Sequence, residues 1–194
     1  MADPVAPYKP FVVGIGGTTR TPSSTDRALR IALEAAEDSG ARTFLFDGGL
    51  LNRLPHFTPG NHERSEEQRQ FVETVREADG LIVASPGYHG GVSGLVKNAL
   101  DLLEDLREDP RCYLDGRAVG CIVTAAGWQT CGSTLAALRA IVHALRGWPT
   151  PFGATLNTTE NLFDQSGACT DPKVVTQLAI VARQVVEFAR MYHR

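Results

Sequence analysis

Several common sequence signals are missing from this chain of 194 residues. No run approaches the roughly 18 apolar residues that span a bilayer. A formal net charge of −3, with no basic stripe on any predicted helix, argues against nucleic acid or an anionic membrane as a partner. The opening MADPVAPYKP lacks the apolar centre of a signal peptide. We interpret residues 1–9 as a disordered leader and expect a cytoplasmic protein.

Cysteine is scarce, and its spacing is not that of a metal or redox site. The four cysteines form no C-x-x-C pair, and no histidine lies at a zinc-like distance from two of them. Cys121 lies in an apolar run and is expected in the core, whereas Cys131 lies in a glycine-containing segment and is a candidate for exposure. No Ser-His-Asp, Cys-His or paired-carboxylate arrangement is recognisable. We therefore predict no catalytic side chain and no metal.

Two well-known phosphate motifs are also missing. The sequence has no G-x-x-x-x-G-K-[ST], which argues against a nucleoside-triphosphate P-loop. The dinucleotide fingerprint G-x-G-x-x-G begins at Gly14 and Gly16 but has Thr19 in place of its third glycine. Asp47 follows the second apolar run and could still act as the ribose-binding acid of such folds. The dinucleotide-binding interpretation is weakened but stays open.

The chain does contain a regular alternation of apolar strands and amphipathic helices. The predicted strands are Phe11 to Ile15, Thr43 to Phe46, Leu81 to Ala84, Ala118 to Thr124 and Phe152 to Leu156. The predicted helices are 24–39, 66–78, 95–106, 133–146 and a last one that begins after Asp171-Pro172. Unbroken apolar strands between helices indicate a parallel sheet covered on both faces. No linker divides residues 10–194, which we interpret as one domain.

The helix predicted at residues 95–106 is apolar on more than one side. Its second stripe consists of Val96, Leu100 and Leu103. A stripe of this kind either forms a subunit contact or is buried within one subunit. We expect the former, and hence a homodimer or homotetramer.

The segment FVVGIGGTTRTPSSTDRALR, residues 11–30, has the features of a phosphate-binding loop. A strand, a glycine break and a hydroxyl-rich loop lead into a helix whose N-terminus favours an anion. Arg20 adds a planar fork suited to a dianionic phosphate. The candidate hydroxyl donors are Thr18, Thr19, Ser23, Ser24 and Thr25. The alternative is an ordinary strand–helix turn whose hydroxyls only cap the helix.

Two further loops should lie at the same edge of the sheet, because ligands of such folds bind beyond the carboxyl ends of the strands. The first, SPGYHGGVSG at residues 85–94, has four glycines and two rings, Tyr88 and His89, that can contact a planar ligand. The second, residues 124–133, has small residues suited to a flat ligand. Trp128 in this loop is either a lid or an interface residue.

Taken together, these motifs resemble the NADPH-dependent FMN reductases, which are flavodoxin-like flavoproteins. The resemblance covers the whole chain and depends on three groups of residues. They are Gly16-Gly17-Thr18-Thr19-Arg20 with Ser23-Ser24-Thr25; Ser85-Pro86-Gly87-Tyr88-His89-Gly90 with Gly94 and Lys97-Asn98-Ala99-Leu100-Asp101; and Ala126-Gly127 with Gly132. One departure is Gly87, which stands where Asn, Glu or Gln is common, so that a side-chain contact to the flavin is missing.

The resemblance implies a three-layer sandwich with a five-stranded parallel sheet in the order 2-1-3-4-5. It implies that Arg20, Ser23 and Thr25 bind the FMN phosphate, that Pro86 to Gly90 contact the isoalloxazine ring, and that Ala126-Gly127 flank it. With the two additional hydroxyls, the predicted cofactor-binding residues are Thr18, Arg20, Ser23, Ser24, Thr25, Pro86, Gly87, Tyr88, His89, Gly90, Ala126 and Gly127.

The implied reaction is hydride transfer from NAD(P)H to FMN, with the cofactors supplying the chemistry. The family includes reductase components of two-component monooxygenases, which makes a flavin-dependent monooxygenase a candidate partner. One alternative keeps the fold and reduces a quinone, azo or nitro compound with bound FMN. Another is a non-enzymatic flavodoxin-type electron carrier.

Overall fold

A computed structural model describes residues 8–193, which form a sheet between two layers of helices. Residues 1–7 of the predicted leader lie outside the described residues. The strands are β1 Phe11–Gly16, β2 Arg42–Phe46, β3 Gly80–Tyr88, β4 Gly91–Val92, β5 Ala118–Ala125, β6 Trp148–Pro149 and β7 Ala154–Asn157. The helices are α1 Ser24–Asp38, α2 Gly48–Leu51, α3 Glu66–Glu77, α4 Gly94–Asp101, α5 Trp128–Ala144 and α6 Pro172–Tyr192, with a 3₁₀ helix at Leu102–Leu106.

The strand order confirms the expected flavodoxin-like topology. Strands β2, β1, β3 and β5 are parallel neighbours in that order. Both β6 and β7 pair with β5, at Ala118–Val119 and Ile122–Ala125 respectively, so together they occupy the fifth position. The sheet thus has seven strands where five were predicted, because the edge strand is interrupted and β4 folds back antiparallel on the end of β3.

Alternate residues of each central strand point to opposite faces of the sheet and belong to two separate hydrophobic cores. Val12 and Ile82 pack with α1 and α6 on one face, whereas Val13 and Leu81 pack with α3, α4 and α5 on the other. Both faces of every central strand are therefore covered, which explains the unbroken apolar runs.

The second apolar stripe of the helix after β4 is buried within the single chain. Val96, Leu100 and Leu103 are at most 1% exposed. The segment between β2 and α3 covers them, because Leu51 and Leu54 enter the same core. Asn98 fixes that segment, accepting a hydrogen bond from the Phe57 N–H at 2.8 Å. The interpretation of this stripe as a subunit contact was wrong.

Two helix boundaries also differ from the prediction. The apolar stretch after Ser93 is an α-helix only to Asp101 and then tightens into 3₁₀ form. Helix α5 begins at Trp128, five residues before the predicted start at Ser133. Cys131 is therefore inside a helix and 1% exposed, so the expectation that it is accessible was wrong.

Candidate functional site

The carboxyl ends of β1, β3 and β5 meet at one edge of the sheet and enclose a cleft of about 500 Å³. This volume lies in the range of roughly 300–1,000 Å³ that is common for small-molecule and cofactor sites. The cleft is lined by Thr18, Arg20, Pro22, Ser23, Ser24, Thr25, Arg27, Pro86, Gly87, Tyr88, Thr124, Ala125, Ala126 and Thr158.

The loop after β1 supplies the polar end of the cleft. Ser23 is the N-cap of α1, and its hydroxyl accepts the Asp26 N–H at 3.2 Å. The Thr18 hydroxyl accepts the Arg20 N–H at 3.2 Å and donates to the Arg20 carbonyl at 3.1 Å. These local bonds fix the loop and leave the Arg20 guanidinium exposed at the cleft.

The floor below this loop is a buried pair of hydroxyls. The side-chain oxygens of Thr25 and Thr124 lie 2.6 Å apart, and both residues are at most 3% exposed. This hydrogen bond joins the first turn of α1 to the end of β5, so the polar end of the cleft is fixed to the sheet.

The segment at the end of β3 is a hairpin rather than a loose glycine loop. Tyr88 pairs with Gly91, and His89 and Gly90, with φ angles of 52° and 84°, form the two-residue turn between them. The Ser85 hydroxyl accepts the N–H of Ser93, the N-cap of α4, at 3.0 Å, and so fixes the base of the hairpin. The structure thus places Pro86, Gly87 and Tyr88 along the cleft.

The third wall is the turn between β5 and α5. Gly127 is the N-cap of α5 with a φ of 115°, and its N–H donates to the Asn157 side-chain oxygen at 2.9 Å. The Thr158 N–H donates to the Ala125 carbonyl at 2.9 Å. Two hydrogen bonds from the end of β7 therefore hold the small residues Ala125 and Ala126 in place.

The cleft gathers most of the predicted cofactor-binding residues. Nine of the twelve line it, namely Thr18, Arg20, Ser23, Ser24, Thr25, Pro86, Gly87, Tyr88 and Ala126. The remaining three are adjacent in the chain but lie outside the lining: His89 and Gly90 at the hairpin tip, and Gly127 at the start of α5. Trp128 also lies outside it and is 57% exposed.

Five lining residues are not among the twelve predicted: Pro22, Arg27, Thr124, Ala125 and Thr158. Thr124 and Ala125 nevertheless belong to the segment 124–133, which was predicted as a site loop. Arg27 could have been found from helical spacing, because it lies one turn beyond Ser23 and Ser24. Thr158 follows the last strand, whose loop was not among the three predicted site loops.

Charge distinguishes this cleft from the other depressions on the surface. Its lining includes two arginines and no Asp or Glu. A larger groove of about 790 Å³ along α3 has arginines that already pair with carboxylates, such as Arg64 with Asp105 at 2.8 Å. The cleft at the sheet edge is therefore the better candidate for an anionic ligand.

The contacts of Asp47 all lie outside the cleft. It is the N-cap of α2, accepts the Leu50 N–H at 3.0 Å and pairs with Arg30 at 3.2 Å. It does not line the cleft. This removes the sequence argument for a ribose-binding acid at this position.

The donor set fits FMN. Hydroxyls, helix N–H groups and a guanidinium at one end of the cleft suit a phosphate, and the flat strip formed by Pro86, Gly87 and Ala126 suits a planar ring. No group of three or more His, Cys, Asp or Glu capable of holding a metal occurs in residues 8–193. Across the same span, no helix has both the length and the apolar character needed to cross a membrane.

A parallel α/β sheet with its polar cleft at this edge defines a flavodoxin-like protein, and solved structures agree. A flavoenzyme NAD(P)H:(acceptor) oxidoreductase from Paracoccus denitrificans superposes with a TM-score of 0.73 at 19% identity, covering 94% of this chain and 98% of that one. This likeness concerns the fold.

Sequence comparison identifies the family. The profile of the NADPH-dependent FMN reductases matches residues 10–159, and the chain belongs to that family. The FMN reductase (NADPH) of Escherichia coli K12 is 32% identical over 135 residues, covering 70% of this chain and 63% of the relative. The FMN-dependent NADPH-azoreductase of Staphylococcus aureus is 29% identical over 178 residues, covering 89% and 91%. The expected enzyme class, an oxidoreductase, and the cofactor pair of FMN and NADPH are thus confirmed at the level of the family.

Proposed function

We propose that this chain is an NAD(P)H-dependent FMN reductase that transfers hydride from the nicotinamide to the flavin. The observation that carries the proposal is the acid-free cleft, in which Arg20 and the N-terminus of α1 meet the strip from Pro86 to Tyr88. When bound, FMN supplies the two-electron chemistry itself.

The residues of the chain would bind FMN and orient its ring system. Arg20, Ser23 and Ser24 hold the phosphate, with Thr18 and Thr25 completing the polar end. Pro86, Gly87 and Ala126 would align the ring system, and Tyr88, which lines the cleft and is 56% exposed, would be free to contact it. His89, Gly90 and Gly127 act through the hairpin and the β5–α5 turn that they form. Alignment of two rings in one cleft is itself a large contribution to rate.

Titration with flavins and nicotinamides tests the proposal. We expect quenching of FMN fluorescence on binding, weaker binding of riboflavin because it lacks the phosphate, and FMN-dependent oxidation of NADPH. A protein that leaves FMN fluorescence unchanged at high micromolar concentration contradicts the proposal. Repeating the assay with NADH gives the nicotinamide preference.

A second candidate is reduction of an azo, quinone or nitro compound with FMN retained as a prosthetic group. The longer match, over 89% of this chain, is to a relative named an azoreductase, which favours this candidate. Ping-pong kinetics with a yellow purified protein support retention of FMN, whereas sequential kinetics with free FMN support the first function. A flavodoxin-type carrier would bind FMN without being bleached by NADPH.

We also propose a homodimer or homotetramer in the cytoplasm, with a flavin-dependent monooxygenase as a partner. Support for assembly now comes from Tyr88 and Trp128, two exposed aromatic side chains near the cleft, rather than from α4. Light scattering should give a mass of at least two chains at micromolar concentration, and Trp128→Ser should lower it. A wild-type monomer contradicts the assembly.

A further inference from the structure

Arg27 is a second cationic side chain in the cleft, and its role is unassigned. It lies in α1, one turn after the N-cap Ser23. Side chains on a helix tilt toward its N-terminus, so Arg27 extends back toward the polar end of the cleft, where it joins Arg20 in the lining. Among residues 8–193 its guanidinium has no ion-pair or hydrogen-bond partner.

An aromatic ring from a distant segment holds this guanidinium. Its central carbon lies 5.6 Å from the ring centre of Phe163, within the distance of a cation–π contact. The Nε atom lies 3.3 Å from the position that a Cβ on Gly167 would take, so the backbone of the same segment also borders the side chain.

The segment that carries Phe163 is internally braced. Phe163 forms a β-bridge with Cys169, and the Asp164 carboxylate accepts the Ala168 N–H at 3.0 Å and the Ser166 hydroxyl at 2.6 Å. These residues follow β7 and lie beyond residues 10–159, the span matched by the family profile. The segment from Phe163 to Cys169, which contacts Arg27, is therefore not part of the family match.

A neighbouring arginine of α1, unlike Arg27, forms ion pairs with carboxylates. Arg30, one turn further along α1, pairs with Asp26 at 2.9 Å and with Asp47 at 3.2 Å. Two carboxylates outside the cleft therefore compensate the charge of Arg30. No carboxylate of residues 8–193 compensates the charge of Arg27. A terminal phosphate carries close to two negative charges at neutral pH, so Arg20 alone leaves about half of it uncompensated.

We propose that Arg27 is a second phosphate-binding arginine of the cleft, and that Phe163 is a positioning residue that holds it there. The proposal depends on the proposed function, since the phosphate is that of FMN. It implies that the segment after β7 completes the phosphate end of the site.

The first test compares two arginine variants with the same change of charge. Dissociation constants for FMN and riboflavin are measured by fluorescence for wild type, Arg27→Gln and Arg30→Gln. We expect Arg27→Gln to weaken FMN binding about tenfold or more, with riboflavin binding unchanged. We expect Arg30→Gln to change neither constant more than about twofold, because that charge is already paired and solvent-screened.

The second test addresses Phe163. Phe163→Leu keeps an apolar side chain without the ring, and Phe163→Tyr restores the ring. We expect a severalfold loss of FMN affinity in Phe163→Leu, recovery in Phe163→Tyr, and no further loss when Phe163→Leu is combined with Arg27→Gln. Thermal melting of each variant confirms that the fold is retained. Unchanged FMN affinity in a folded Phe163→Leu contradicts the positioning role.

The outcomes separate this inference from the function on which it depends. A wild-type protein that fails to prefer FMN over riboflavin defeats the phosphate cleft itself. If the wild type prefers FMN and Arg27→Gln keeps that preference, only the role of Arg27 is wrong. An Arg27→Gln variant that binds FMN normally but shows a raised KM for NADPH also overturns the proposal, because the cation then serves the nicotinamide nucleotide.

Discussion

At the scale of single residues, the structure gives a different reason for the glycine at position 87. The sequence resemblance treats it as a lost side-chain contact to the flavin. In the structure, a Cβ at this position would lie 2.8 Å from the Thr134 hydroxyl and 3.1 Å from the Ala125 Cβ, so it would point into the packing against α5. Gly87 is required because the hairpin strand and α5 approach each other closely.

This geometry makes Gly87→Ala destabilising. The added methyl group must displace buried neighbours, and we expect the free energy of unfolding to fall by about 1–3 kcal/mol. FMN affinity should fall too, because the strip from Pro86 to Tyr88 has to shift. Urea unfolding measures the first effect and flavin titration the second.

Gly94→Ala is the matched control, since no atom lies within 4 Å of its Cβ position. Its free energy of unfolding should stay within about 0.5 kcal/mol of wild type. Equal stability of the two variants would show that the approach at Gly87 is looser than described.

Arg20 gives the corresponding prediction for binding. It is exposed at the mouth of the cleft, so its removal should leave the fold intact. We expect Arg20→Gln to weaken FMN binding by about 1–3 kcal/mol, the range for a lost charge-assisted hydrogen bond. Riboflavin should bind the variant and the wild type equally. A parallel loss of riboflavin affinity would place Arg20 near the ring rather than the phosphate.

At the scale of elements, the start of α5 shows what sequence signals miss. Its N-cap, Gly127, has no side chain to accept from the first turn, and Gly132 lies within the helix. Both features resemble a loop in the sequence, because glycine is a poor helix former. The partner that fixes this start, Asn157, is thirty residues away in the chain. Only the pairing of β7 with β5 brings it there.

We therefore predict an effect of Asn157→Ala on both stability and binding. Its side-chain oxygen accepts from the Gly127 N–H at 2.9 Å and from the Thr159 hydroxyl at 2.9 Å, and Asn157 is 8% exposed. Removing a buried acceptor should lower the free energy of unfolding by about 1–3 kcal/mol. FMN affinity should fall because Ala126 is no longer held.

Asn61→Ala is a suitable control for this element. The side-chain oxygen of Asn61 also accepts a backbone N–H, that of Glu63 at 2.9 Å, but the site is exposed and Asn61 does not line the cleft. We expect a change within about 0.5 kcal/mol and unaltered FMN binding. If Asn157→Ala behaved like Asn61→Ala, the turn between β5 and α5 would be stable without the asparagine.

At the scale of the whole molecule, burial decides which cysteine thiols can react. Burial raises the pKa of the Cys121 thiol to about 12 and also raises the pKa of Cys131. Burial disfavours the charged thiolate, so at pH 8 the Cys121 thiol stays protonated. Both side chains are 1% exposed.

Alkylation with iodoacetamide at pH 8 should consequently follow the fold. Cys112 and Cys169, which are partly exposed, should react first, whereas Cys121 and Cys131 should react only after unfolding in urea. Peptide mass spectrometry gives the order. Early labelling of Cys131 in the native protein would contradict its burial between α5 and the ends of β5 and β7.

The fold class and nine of the fourteen cleft residues could be predicted from the amino-acid sequence. Apolar runs between amphipathic helices specify a covered parallel sheet, because both faces of each strand must be buried. The polar loop after β1 was also predictable as part of the cleft, since Ser23 caps the helix that follows and Arg20 lies three residues before this cap.

Contacts between side chains that are distant in the sequence could not be predicted and are seen only in the folded chain. The stripe of Val96 and Leu100 is inward because a distant segment covers it, and Phe163 reaches Arg27 from beyond the last strand. Periodicity reports which positions are apolar but not what covers them. Contacts between residues far apart in sequence depend on strand pairing and helix packing, and those exist only once the chain is folded.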